Sequence, residues 1–71
     1  MNASQRINSN VSSQLNLMAV QNVEIANTLV NISKMNTGGN KVALESAASN
    51  IIRAANVAVT NASNANASNQ V

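Results

Sequence analysis

Seventy-one residues carrying a net charge of +2, with no Cys, His, Asp, Pro, Phe, Tyr or Trp, allow one small domain built from few side-chain types. Asn (15), Ala (12), Ser (9) and Val (8) fill 44 of the 71 positions. With Glu24 and Glu45 as the only side-chain carboxylates, a single chain offers no zinc, iron or calcium cage, no His-based triad and no thiol nucleophile.

The same arithmetic argues against an enzyme, and no cofactor or small-molecule substrate is expected. Arg6, Lys34, Lys41 and Arg53 are scattered, and aromatic stacking platforms are missing, so nucleic acid is not an expected partner. The longest unbroken apolar run is the four residues Leu17 to Val20, far below the roughly 18–20 that cross a bilayer. Met1-Asn2-Ala3-Ser4-Gln5 lacks the apolar core of a secretory signal. The expected setting is therefore an extracellular filament reached by a leaderless route, or a cytoplasmic assembly, and not a membrane-integral protein.

Residues 1–8 read as a flexible N-terminus. From there Val11, Leu15, Met18, Asn22, Ile25, Leu29 and Ile32 recur at alternating steps of four and three, which predicts a helix over 9–36. On a heptad, Leu15, Asn22 and Leu29 take the a positions, and Val11, Met18, Ile25 and Ile32 take d. Ala19, Val23, Ala26 and Val30 widen the apolar face beyond a two-stranded stripe, so several neighbours are expected on it. Asn22, with Asn8 and Asn36 at equivalent places, resembles the polar seam residue that sets helix register. In a chain this rich in Asn, some must fall on a seam in any case.

The break comes at 37–40, where Gly38 and Gly39 are the only glycines. A glycine after a periodic run suits the left-handed conformation that ends helices, and Asn40 is the expected N-cap of the next one. Gly38-Gly39 lacks the Lys-Ser/Thr ending of a phosphate loop. A second helix is predicted over 41–60, with the stripe Leu44, Ala48, Ile51, Ala55, Ala58, Ala62 and Ala65, and with Ile52 and Val59 on its flank. Residues 61–71 form an Asn/Ala/Ser tail that should become helical only if something packs on it. Asn-x-Ser sites at Asn2, Asn10, Asn31, Asn61 and Asn66 follow from composition.

Fold class and function follow from this pattern. The expected fold is all-α: an antiparallel two-helix hairpin with coiled-coil-like seams, stabilised by homo-oligomeric or filamentous packing. Each interior Asn costs a helix up to about 0.7 kcal/mol against Ala, and a hairpin without aromatic side chains has little core to offset that. The expected function is structural: a subunit of a self-assembling filament, tube or ribbon whose partner is itself. The competing class is a small helical partner-binding or toxin-like module that folds on a protein target.

Two resemblances point the same way. Ile25-Ala26-Asn27 and Asn36-Thr37-Gly38-Gly39 resemble elements in the terminal helices of flagellar rod and hook proteins. The distance between the two elements is longer here. Ile7-Asn8-Ser9, within an Ala/Asn-rich chain, is similar to an early element of R-body proteins, which build coiled ribbons; their Tyr-containing and poly-Gln elements have no counterpart here. Either resemblance implies a small bacterial subunit that polymerises.

Overall fold

The computed structural model describes residues 1–69; Gln70 and Val71, the end of the low-complexity tail, lie outside the described residues. Two helices make up the described chain, α1 over Ala3–Ser33 and α2 over Gly38–Ala67. They run antiparallel as a hairpin 54 Å long and only 13 × 11 Å across. Membrane crossing is not available to them, since no helix among the described residues is long and apolar enough.

Both helices are longer than the periodicity predicts. α1 already begins at Ala3, inside the segment expected to be a loose N-terminus, and Asn2 and Gln5 form a reciprocal capping box at its start. Asn2 Oδ1 accepts from the Gln5 amide at 2.8 Å, and Gln5 Oε1 accepts from the Asn2 amide at 2.9 Å. Two amides that the first turn would leave unpaired are thereby satisfied. At the other end α2 continues to Ala67 rather than stopping at residue 60. Ala62 is buried against α1 and Ala65 is half-buried, so the packing on which helicity of the tail was expected to depend is supplied from within the chain.

The turn sits earlier than expected, at 34–37 instead of 37–40. α1 ends without help from glycine, because Met35 and Asn36 donate their amides to the carbonyls of Ile32 and Ser33 at 3.0 and 3.1 Å. Asn36 Nδ2 also donates to the Ile32 carbonyl at 2.8 Å, so a side chain takes up one of the last free acceptors. Thr37, not Asn40, occupies the N-cap of α2, and its side chain makes no capping bond. Gly38 is the one residue among those described with positive φ, at 60°, where it swings the chain into α2. Gly39 is an ordinary helical residue in open space.

Alanine fills the interior. The buried apolar residues are Ala19, Ala26, Ala48, Ala55, Ala58 and Ala62, joined by Ser12 and Ser33. Ala19, Ala55 and Ala58 form one cluster with Leu15 packed against it. With Ala and Ser at the buried positions, no long side chain stands between the two helices along the seam. A buried methyl contributes on the order of 0.8 kcal/mol, well below a buried Leu or Ile. No buried side-chain nitrogen or oxygen among the described residues lacks a partner.

Three substitutions test this construction by thermal circular dichroism. Gly39→Ala should raise the midpoint, since Ala favours helix over Gly, though in the first turn of α2 by less than the about 1 kcal/mol seen in a helix interior. Gly38→Ala should lower it, because a Cβ at φ 60° is strained. Ala55→Leu should lower it further, by about 1–3 kcal/mol, as overpacking forces the helices apart.

Candidate functional site

Three columns of residues spaced by seven run along α1: 11, 18, 25 and 32; 12, 19, 26 and 33; and 15, 22 and 29. The hairpin uses the second and third. Ser12, Ala19, Ala26 and Ser33 are buried against α2, while Leu15, Asn22 and Leu29 are half-buried beside them. The seam that α1 presents to α2 therefore lies one position away from the one read off the sequence. Leu15, Asn22 and Leu29 hold their expected places. Val11, Met18, Ile25 and Ile32 do not face α2, and they remain 44, 46, 50 and 38% exposed. The reason is steric: closely packed helices accept Ala and Ser at the crossing and push longer side chains to the flank.

On α2 the expected stripe and the observed seam coincide. Ala48, Ala55, Ala58 and Ala62 are buried, and Leu44, Ile51 and Ala65 are half-buried along the same line. Ile52 and Val59 stand on the flank, as expected, and are exposed. Counting outward from Ala19 opposite Ala55, Ala26 falls level with Ala48 and Ser12 with Ala62.

Two apolar surfaces result, on opposite broad faces of the rod. One carries the ridge Val11, Met18, Ile25 and Ile32, extended by the exposed Ile7 and Met35 on the next column of α1. Small residues of α2, Ala47 and Ala54, lie beside that ridge. The other face holds a shallow groove of about 470 Å3 between the helices. Ala19 and Ala55 form its floor, Val20, Val23 and Val59 its apolar walls, and Asn16, Glu24 and Asn56 its polar rim. Charge is distributed unequally. None of the six Lys, Arg and Glu residues occupies the columns of the ridge face. The nearest, Arg53, stands on the outer edge of α2 and donates from Nη2 to Asn50 Oδ1.

The register-type asparagines take three different roles. Asn36 caps α1, and Asn22 sits half-buried in the seam. Asn8 belongs to a polar clasp that sequence reasoning missed. Its Nδ2 donates to Asn69 Oδ1 at 3.1 Å, while Asn69 Nδ2 donates to the Gln5 carbonyl at 3.3 Å and to Ser9 Oγ at 3.2 Å. Gln5 Nε2 returns a bond to the Asn69 carbonyl at 3.5 Å. The available signal was the Asn2-x-x-Gln5 capping pattern, which places Gln5 on a helix rather than in a loose end. Asn69, in an Asn/Ala/Ser repeat, gives no such signal.

No group of three or more His, Cys, Asp or Glu gathers among the described residues. Comparisons with protein-family models, curated proteins and solved structures found no match.

Asn22→Leu tests the seam. A Leu there continues the Leu15–Leu29 column and should raise the thermal midpoint by about 1 kcal/mol, some 4–8 °C. If Asn22 also limits the registers available between copies, assemblies of the variant will be less uniform in helical symmetry when classified by electron microscopy. A lower midpoint would remove Asn22 from the seam, because an apolar residue is favoured at such a position.

Proposed function

We propose that this chain is a structural subunit that polymerises with copies of itself into a filament, tube or ribbon, and that it performs no chemistry of its own. The observation that carries the reading is an inverted order of burial. Among the described residues, the fully buried apolar ones are all Ala, while 15 large aliphatics are exposed, among them Val11, Met18, Ile25 and Ile32 in one line. A monomer rarely leaves contiguous apolar surface on that scale, and where it occurs it marks an interaction site. An Ala-lined seam is also a weak basis for an isolated fold, so assembly should supply a large part of the stability by mass action.

The leading interface residues are those of the ridge together with its seam neighbours Leu15, Asn22 and Leu29, with Leu44, Ala48, Ile51 and Ala55 supporting them from α2. The alternative occupant of the apolar surface is a different protein, on which the hairpin would fold as a binding or toxin-like module. A protein target and a second copy both suit an uncharged apolar face, whereas a membrane surface is served poorly. Interfacial helices place Lys and Arg along the polar face and use aromatic anchors, and this chain has neither arrangement.

Sedimentation and negative-stain microscopy of the purified chain test the proposal. The expected result is concentration-dependent polymers in the parent, and none in Ile25→Asp, which puts a charge on a ridge position that the hairpin itself does not bury. Leu29→Asp should instead damage the hairpin, because Leu29 lies in the seam. Monomers alone at high concentration, across salt and pH, would overturn the polymer reading and favour the protein binder.

A further inference from the structure

The two apolar faces differ in shape, and the difference bears on how copies associate. One is a convex line of long side chains on α1, with Met18 and Ile25 at its middle. The other is concave, floored by Ala19 and Ala55 and walled by Val23 and Val59. Met18 stands at the same level along the rod as that floor. A copy displaced sideways without sliding therefore brings its Met18 over the groove of the next. Met, unbranched and adaptable, suits an irregular apolar recess.

Resting on the reading of this chain as a self-assembling subunit, we infer that the ridge face of one copy seats in the groove face of the next. The contact is heterologous. A heterologous contact leaves a free ridge at one end and a free groove at the other, so it propagates into an open polymer unless the rotation closes a ring. An isologous ridge-to-ridge contact by itself would satisfy the ridges in pairs and stop at a dimer, with the groove faces unused.

Shape favours a second copy as occupant, because one chain carries both the exposed ridge and the apolar groove at the same level along the rod. The chain exposes 4891 Å2, whereas a compact protein of 7.3 kDa exposes about 4,200 Å2 by surface scaling. The excess, roughly 700 Å2, reflects the rod shape of the hairpin and is surface that side-by-side packing of copies would remove from water. The ridge columns hold no charged residue, so burying them leaves no unpaired charge. Glu24, the one charge lining the groove, stands at its rim.

A complementation experiment tests the inference. One variant carries Met18→Glu and Ile25→Glu, which spoil the ridge; the other carries Val23→Glu and Val59→Glu, which spoil the groove. All four positions are exposed in the hairpin, and Glu favours helix at least as well as the residues replaced. Each variant alone should sediment as a helical monomer. Mixed, they should form one-to-one heterodimers and go no further, since only one intact ridge and one intact groove remain. A groove variant that dimerises alone, with no added species on mixing, would overturn the inference in favour of an isologous contact. Polymers from either variant alone would overturn it too.

If either variant loses helicity, cross-linking of the otherwise unaltered chain decides, because the parent has no cysteine. Oxidising a mixture of Met18→Cys and Val59→Cys chains should give mainly the mixed disulfide. A predominance of either homodimer would overturn the inference. A parent that stays monomeric in the same runs would defeat the polymer reading itself, an outcome distinct from polymers whose contacts lie elsewhere.

Discussion

Close contact between small side chains is the constraint on which the remaining structure depends. Ala19 lies against Ala55 and Ala58, and the same chemistry recurs at Ala26, Ala48 and Ala62. Because these positions carry nothing larger than a methyl or hydroxymethyl group, the backbones come together closely and the rod is narrow. The cost is that little apolar area is removed from water within one chain. Long side chains that would normally fill a core are displaced to the flanks of the seam, where they remain available to something else. The same geometric choice thus limits the buried area and sets which side chains stay exposed.

Asparagine, the commonest residue, is the other half of this economy. It is a poor interior helix former because its amide competes for backbone groups. In this chain several amides are placed where that competition is useful. Asn2 opens α1 by holding the Gln5 amide, Asn36 closes it by donating to the Ile32 carbonyl, and Asn69 ties the two ends together through Gln5, Asn8 and Ser9. The hydroxyls of Thr28 and Thr60 return hydrogen bonds to carbonyls four residues earlier, at 3.1 and 3.0 Å. Many of the remaining asparagines are exposed. An uncharged polar surface of this kind lets rods lie side by side without like-charge repulsion, while giving salt little to screen.

Helicity, two segments and an antiparallel hairpin were legible in the sequence, because period-seven spacing and a single glycine pair depend on local chemistry alone. Most of the α2 seam was legible, since the Leu44–Ala65 stripe pairs two adjacent columns of small and aliphatic residues; the half-buried Ala47 lies outside it. The ends were not. Gln5 and Asn69 are brought together only by folding, and a repeat of Asn, Ala and Ser does not announce which Asn will meet a partner 64 positions away. Glycine placement was half legible: a break was evident, but i→i+3 bonds and the Asn36 amide ended α1 before the glycines were reached.

What the sequence determined by itself was the menu: helices by periodicity, a turn near its two glycines, and apolar columns at heptad spacing. What the tertiary structure alone decided was which column each helix turns inward. On α1 the columns Val11–Ile32 and Ser12–Ser33 share the same period and lie side by side, so periodicity cannot choose between them. Hydrophobicity favours the first, and steric fit against an Ala-lined partner selects the second. That choice depends on the shape of α2, which no window of α1 contains, and it leaves the ridge of Val11, Met18, Ile25 and Ile32 facing outward.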